Sequence, residues 1–174
     1  NMIESELSFI RRESSKKIRI LSVGRFVDEK DYLTMIKAIN ILNKMKFEKG
    51  MDWELIILGY GNLYDKIKNW IKDYGLNDKI IIKDGRNDIR DFYKNANIYL
   101  STSKNEGMSN TVMEAMTYSL PIISTDAGDV QYLVKNKVNG FVANIGDFNT
   151  IAEKLYLLIN SKDLRNQQGL NSYN

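Results

Sequence analysis

The chain has 174 residues, of which 43% are hydrophobic and 27% charged, as expected for one globular domain. It contains no cysteine and no histidine, which excludes disulfide frameworks, thiol nucleophiles, zinc proteases and Ser-His-Asp hydrolases. The 25 basic and 22 acidic residues leave a formal charge of +3, too small to indicate a nucleic-acid surface, although a polyanionic small ligand fits it. No membrane span or secretory signal pattern is present, so we expect a cytoplasmic protein.

Short apolar runs mark the predicted strands. Residues 1–16 are polar and charge-rich, which is typical of a connector. The runs that follow are rich in β-branched residues and short enough for buried parallel strands, and they cover residues 18–23, 53–58, 80–82, 98–100 and 122–125.

Helical spacing of apolar residues follows most of these runs. The predicted helices cover residues 33–42, 63–71, 111 to about 118, and 151–159. Residues 162–174 begin as a helix but stop in polar residues, with no apolar stripe completed. Strand and helix in alternation predict an α/β fold, a Rossmann-like parallel sheet with helices on both faces. Ligands of such folds bind at the carboxyl ends of the strands, so the loops there are the candidates for a functional site.

Two cations flank a glycine turn after the first predicted strand. Gly24 and Arg25 end that strand, and Lys30 precedes the first predicted helix. An arginine fork, a lysine point charge and a helix start together suit a phosphate group. Two solvated loop cations give the same pattern, and these residues alone favour that alternative. The segment is not a dinucleotide fingerprint, because only one glycine stands where G-x-G-x-x-G needs three.

The second strand ends at Gly59 and Gly61, where backbone N–H groups can approach a ligand, although in isolation a tight turn is the more ordinary explanation. The fourth strand leads into a loop that carries Glu106 just before a helix N-terminus, whose free N–H groups can bind an anion. Glu114 lies about 200° around that helix from the apolar Val112 and is expected to point away from the core. A solvated glutamate is the ordinary alternative there, but two carboxylates around an anion site suit a ligand that carries phosphates and hydroxyls.

Several segments together resemble one family. Residues 106–114, EGMSNTVME, match the E-x7-E motif of retaining glycosyltransferases with the two-domain GT-B architecture, family 4, also called glycosyl transferases group 1. The resemblance covers roughly residues 17–159. Its other segments occur in the family's order, at residues 24–30 (G-R-x-x-x-x-K), 58–61 (G-x-G), 96–101, 113–116, 121–126 and 139–142.

The resemblance implies transfer of a hexose from a nucleotide diphosphate sugar to an acceptor hydroxyl with retention at the anomeric carbon. A UDP-hexose is the first expectation for the donor, and GDP-mannose is the next. Arg25 and Lys30 would stabilise the leaving diphosphate, and Glu106 would hold hydroxyls of the donor sugar, with no metal or other cofactor. Glu114 would bind the ribose. The remaining donor-binding residues would be Gly24, Gly59, Gly61, Arg86 beside the base, and the loop residues Gly107, Met108, Ser109, Asn110 and Thr111.

Four positions depart from the family pattern. Ser119 stands where glycine is usual, and Asn97 replaces an aspartate. Asp129 and Tyr132 replace the glycine and glutamate that commonly follow Gly128, so the family's contact of that loop with donor or acceptor is not carried over to this chain.

The resemblance also implies a domain organisation. Residues 1–16 resemble the interdomain linker, and residues 17–174 the C-terminal nucleotide-sugar-binding domain, with the acceptor-binding domain and a last crossing helix outside the chain. We expect this domain to be inactive alone. The expected partners are the donor and an acceptor glycan or glycolipid, with peripheral contact at the inner membrane face and no nucleic acid, in bacterial surface polysaccharide synthesis. Two alternatives stay open: a non-catalytic nucleotide-binding module, and a nucleotide-sugar epimerase, for which the histidines usual in acid-base chemistry are missing.

Overall fold

The computed structural model describes residues 17–174, so the predicted linker at residues 1–16 lies outside the described residues. The sheet has six strands, β1 (Lys17–Val23), β2 (Asp52–Gly59), β3 (Ile80–Asp84), β4 (Ile98–Ser101), β5 (Ile122–Thr125) and β6 (Gly140–Ala143). All six strands are parallel, and their order in the sheet is β3-β2-β1-β4-β5-β6.

Helices connect the strands, and two more follow β6. They are α1 (Tyr32–Asn43), α2 (Tyr64–Asp73), α3 (Arg90–Asn95), α4 (Asn110–Thr117), α5 (Val130–Leu133), α6 (Phe148–Asn160) and α7 (Lys162–Tyr173), and a 3-10 turn (Asp28–Lys30) precedes α1. Within residues 17–174 no helix has both the length and the apolar character needed to cross a bilayer.

The core forms two layers because side chains alternate across the sheet. In β2, Leu55 and Ile57 pack with α1, α2 and α6, whereas Ile56 and Leu58 pack with α3, α4 and α5. A central strand buried on both faces needs apolar residues at successive positions, which explains the uninterrupted apolar run that predicted β2.

The strand order reverses between β1 and β4. These strands pair only at Ile20↔Ile98 and Leu21↔Tyr99, so their ladder stops before either strand reaches its carboxyl end. A reversal of this kind leaves a crevice between the loops that follow the two strands. The fold therefore places the loops after β1 and β4 side by side.

The predicted fold class is confirmed. All five predicted strands are present with bounds within two residues of those expected. The sixth strand, β6, was not predicted as a strand. The helices α3 and α5, of six and four residues, were not predicted either, because they are too short to show a helical period.

The prediction for residues 162–174 was wrong in part, since α7 continues to Tyr173. Its buried face is polar or small rather than apolar. Arg165 donates through Nη1 to the carbonyls of Leu158 and Ile159, at 2.7 and 2.8 Å, and so satisfies the end of α6. Ser172 donates to the carbonyl of Asn139 at 3.0 Å. Hydrogen bonds to backbone carbonyls thus hold this helix where an apolar stripe is lacking.

Candidate functional site

A cleft of about 370 Å³ opens at the carboxyl edge of the sheet. The loops after β1, β2 and β4 form its walls, as expected for a site at the reversal of strand order. Most of the predicted site residues line it, namely Gly24, Arg25, Lys30, Gly59, Glu106, Met108, Asn110 and Thr111. Gly85, in the loop predicted to lie beside the base, lines it as well. Three further residues line it that sequence reasoning had not assigned to the site, Val23, Leu58 and Tyr60.

Three glycines form one wall of the cleft. Gly24, Gly59 and Gly85 stand at the ends of β1, β2 and β3, which are neighbours in the sheet. A Cβ on Gly59 would overlap the carbonyl oxygen of Gly24, and a Cβ on Gly85 would lie 2.8 Å from the nitrogen of Gly59. The turn at Gly61, with φ of 148°, packs as closely on the backbone of Phe26. The close packing accounts for the tight-turn interpretation of G-x-G, while the approach of a ligand to these glycines stays a prediction.

Lys30 and Glu106 meet in the cleft as an ion pair between Lys30 Nζ and Glu106 Oε1. Their side chains are 19% and 13% exposed, so the pair is largely shielded from solvent. Ser103, which is 1% exposed, donates from Oγ to the same carboxylate oxygen at 2.7 Å. Lys30 is therefore a partnered cation and not the freely solvated one that its sequence context favoured.

Hydrogen bonds lock the loops that carry this pair. Thr102 Oγ1 donates to the carbonyls of Lys30 and Asp31, at 3.2 and 3.0 Å, and the Lys104 N–H donates to the carbonyl of Glu29 at 2.8 Å. Asp31 has a φ of 48° and caps α1 by accepting from the N–H of Thr34. The loop after β4 thereby fixes the position of the loop after β1.

Arg25 lies on the cleft wall with an exposed side chain. No ion pair joins it to another residue in the part of the chain that the structure describes. Its guanidinium is thus available to an anionic ligand, which fits both the predicted phosphate contact and the solvated alternative.

Two buried tyrosines support the cleft wall from below. Tyr32 donates from its hydroxyl to the carbonyl of Gly24 at 3.1 Å, and Tyr99 donates to the carbonyl of Val23 at 3.2 Å. Burial is the main cause that raises the pKa of both hydroxyls, and the Glu106 carboxylate raises them further. Both tyrosines therefore stay neutral donors, a supporting role that no sequence signal indicated.

The N-terminus of α4 reaches the cleft through Asn110 and Thr111. Just before it, the N–H of Ser109 donates to the Asp129 carboxylate at 3.2 Å. Asp129 is one of the departures from the family pattern, and it occupies a backbone donor that was predicted to meet the ligand. Ser109 is 3% exposed, and Gly107 lies in open space where a Cβ would meet nothing within 4 Å. Neither Gly107 nor Ser109 lines the cleft.

Glu114 does not line the cleft either. It is half-buried on α4, and its charge acts on two neighbouring tyrosines. Burial first, and then the charges of Tyr99 and Glu114, raise the pKa of Tyr93, whose hydroxyl donates to the carbonyl of Thr111. Burial, followed by Glu114, also raises the pKa of Tyr118. Glu114 is therefore not the fully solvated glutamate of the ordinary alternative, because it is half-buried and its charge acts on Tyr93 and Tyr118.

A second pocket of about 450 Å³ adjoins the cleft and shares Gly59 and Tyr60 with it. Gly61 and Arg86, the other two predicted donor-binding residues, line this pocket. Arg86 donates hydrogen bonds from Nε and Nη2 to the carboxylate of Asp84, at 3.0 and 2.5 Å. Its guanidinium lies 5.5 Å from the ring centre of Tyr60. The hydrogen bonds from Arg86 lower the pKa of Asp84 to about 2. The pocket is thus lined by the aromatic ring of Tyr60 and by the ion pair between Arg86 and Asp84.

The doubly wound sheet gives this chain the fold of Rossmann-type α/β domains, whose ligands bind where the strand order reverses. At that position the chain places glycines, two cations and a carboxylate. The family model described as "Glycosyl transferases group 1" matches residues 4–174, and the chain belongs to this family. One relative is the capsular polysaccharide biosynthesis glycosyltransferase CapM of Staphylococcus aureus, 30% identical over 86% of this chain and 38% of that protein. The chain spans about two fifths of the length of the curated relatives it matches.

Solved structures share the fold. The C-terminal domain of the glycosyl transferase group 1 protein LpcC from Francisella tularensis superimposes with a TM-score of 0.80 at 25% identity, over 95% of this chain and 89% of that one. A variant of TarM from S. aureus, solved with UDP among its ligands, superimposes with a TM-score of 0.82 at 22% identity, over 91% of this chain and 32% of that one. The described domain corresponds to the GT-B type of α/β domain.

Proposed function

We propose that this chain is the donor-binding domain of a retaining hexosyltransferase that uses a UDP-sugar. The observation that carries the proposal is the Lys30–Glu106 pair in the cleft where the loops after β1 and β4 meet. Arg25 lines the same cleft and forms no ion pair with any of residues 17–174. Cations suit a diphosphate, and a carboxylate suits the hydroxyls of a sugar. One cleft therefore offers partners for both halves of such a donor.

In this proposal the diphosphate replaces Glu106 as the partner of Lys30. Lys30 and Arg25 then stabilise the negative charge that grows on the diphosphate as it leaves, and this electrostatic work needs no metal ion. Glu106, released from the cation, accepts hydrogen bonds from sugar hydroxyls. The ion pair of the free protein thus keeps both groups oriented until the donor arrives.

The relatives support the choice of donor and pathway. CapM is named for capsular polysaccharide biosynthesis, and the TarM structure contains UDP. We place this protein in the same kind of process, with a glycan or glycolipid acceptor bound by the rest of the protein at the cytoplasmic face of the membrane. Transfer requires both parts, because the reacting groups must be brought together in one site.

Isothermal titration of the 174-residue chain with UDP tests the proposal. The double variant Arg25→Ala/Lys30→Ala removes two charge-assisted contacts of about 1.5–3 kcal/mol each, so we expect the affinity for UDP to fall about 100-fold or more. The matched control Lys104→Ala/Lys135→Ala removes two exposed cations outside the cleft and should bind like the wild type. A folded wild-type chain that binds no UDP, or equal losses in both double variants, contradicts the proposal.

A further inference from the structure

Ser103 is a buried hydroxyl whose contact with Glu106 remains unused by the proposed function. Its Oγ lies 2.7 Å from Glu106 Oε1, the same oxygen that pairs with Lys30. Among residues 17–174, no hydrogen bond reaches Glu106 Oε2. Two donors therefore converge on one oxygen of this carboxylate and leave the other for a further donor.

From this arrangement we infer that Ser103 is a positioning residue, which holds Oε1 of Glu106 so that Oε2 accepts from a hydroxyl of the donor sugar. The inference rests on the proposed function. Lys30 cannot perform this task in the donor complex, because there it turns to the diphosphate. Ser103 is 1% exposed and does not line the cleft, so it keeps its contact with Glu106 after Lys30 has turned to the diphosphate.

The direction of the hydrogen bonds supports this role. A carboxylate only accepts, so Ser103 must donate to Glu106. The hydroxyl of Ser101 lies 3.4 Å from Ser103 Oγ, and since Ser103 has spent its proton on Glu106, Ser101 is the donor in that contact. The hydroxyl proton of Ser103 therefore points towards Glu106, while Ser101 donates to the hydroxyl oxygen of Ser103.

The backbone of Ser103 is anchored independently of the ligand. Thr125 of β5, which is fully buried, donates to the carbonyl of Ser103 at 2.6 Å. On the other side of the loop, Gly128 packs so closely on the backbone of Glu106 that a Cβ there would overlap the Glu106 carbonyl oxygen. Ser103 and Glu106 are therefore held at a set distance by β5 and the loop after it, whether or not Lys30 is engaged.

Binding titrations separate this role from a merely structural one. UDP alone tests the diphosphate contacts, whereas UDP-glucose, UDP-galactose and UDP-N-acetylglucosamine add the sugar. We expect Ser103→Ala to change the affinity for UDP by no more than about twofold. The gain in affinity that the wild type shows for its preferred UDP-sugar over UDP should fall by about tenfold. A structural defect would instead weaken UDP and the UDP-sugar equally.

Three further variants sharpen the test. Ser103→Thr keeps the hydroxyl and should restore the gain, whereas Ser103→Cys keeps nearly the same volume with a weak donor and should behave like Ser103→Ala. The matched control is Ser124→Ala. Ser124 is also 1% exposed and donates to the carbonyl of Thr125, away from Glu106, so its loss should leave the gain unchanged.

A double-mutant cycle tests whether Ser103 acts through Glu106. In a Glu106→Gln background, Ser103→Ala should cause no further loss of the gain. Additive losses, an unchanged gain in Ser103→Ala, or a wild type that gains nothing from any of the sugars overturns the inference while leaving UDP binding intact. Absence of UDP binding in the wild type overturns the proposed function itself. If Ser103→Ala does not fold, Ser103→Cys takes its place in these measurements.

Discussion

Only glycine fits at position 59 of the cleft, because the backbone of β2 lies very close to the backbone of Gly24. The end of β2 packs against the carbonyl of Gly24 and the ring of Phe26, and no side chain fits between them. Gly107, in the loop after β4 and outside the cleft lining, has open space around its Cα. Of these two predicted donor-binding glycines, only Gly59 is therefore required by packing.

Gly59→Ala should destabilise the domain by about 1–3 kcal/mol, since the added methyl group pushes β2 away from the loop after β1. Thermal unfolding measures this loss as a fall in Tm of several degrees. Gly107→Ala is the matched control and should keep its Tm within about one degree, because surface substitutions without contacts change stability little. Equal values of Tm for the two variants would show that the close approach at Gly59 relaxes at no cost.

The helix α6 begins at a cap whose strength depends on pH. Asp147 accepts from the N–H of Thr150 at 3.1 Å and from its hydroxyl at 2.6 Å. These hydrogen bonds, the side-chain one first, lower the pKa of Asp147. The helix buries Ile151, Leu155 and Leu158 against α1 and the sheet, so the cap sets the start of an element on which the first core layer depends.

Asp147→Ala should lower the free energy of unfolding at pH 7 by about 0.5–2 kcal/mol, the usual effect of losing such a cap. Because the folded protein holds the pKa of this carboxyl below its unfolded value of about 3.9, the stabilisation is complete above that value. It is lost as the pH falls through the folded pKa, so the difference between wild type and Asp147→Ala should shrink below about pH 4.

Urea unfolding at pH 7, 5 and 3 measures this dependence. Asp147→Asn keeps a capping oxygen without a titrating group, and its difference from Asp147→Ala should stay constant over the same range. A difference between wild type and Asp147→Ala that persists unchanged at pH 3 would contradict the assignment of the cap to the ionised carboxylate.

On the scale of the whole molecule, the strand order gathers the functional loops at one edge of the sheet. The loops after β1, β2 and β4 line one cleft, while the loops that enter the strands lie at the opposite edge. A ligand that binds the cleft must therefore stabilise segments that are far apart in the chain. At 100 times its dissociation constant it adds about 2.7 kcal/mol to the free energy of unfolding.

Hydrogen exchange with and without UDP measures where this stabilisation acts. We expect slower exchange in residues 24–30, 59–63 and 101–111, and unchanged exchange in residues 76–79 and 118–121 at the other edge. The Arg25→Ala/Lys30→Ala variant at the same UDP concentration is the control and should show little protection. Protection confined to the opposite edge of the sheet would place the nucleotide site elsewhere.

The alternation of elements was predictable because it depends on burial within each segment. The apolar run of β2 and the helical spacing of α6 each report which faces are buried, without reference to the rest of the chain. The same reasoning failed for α7, whose buried face carries Arg165 and Ser172, since hydrogen bonds to carbonyls of other elements leave no periodic apolar signal.

The sequence by itself determined the fold class, the order of the elements and the loops in which a ligand site must lie. Only the tertiary structure decided that Lys30 and Glu106, 76 positions apart, pair with each other. It also decided that Ser103 donates to the same oxygen of Glu106 as Lys30 does, and that Glu114 lies outside the cleft. The physical reason is the strand order. Periodicity records the environment of one element, whereas contacts between loops depend on which strands are neighbours, and that is settled by the packing of the whole sheet.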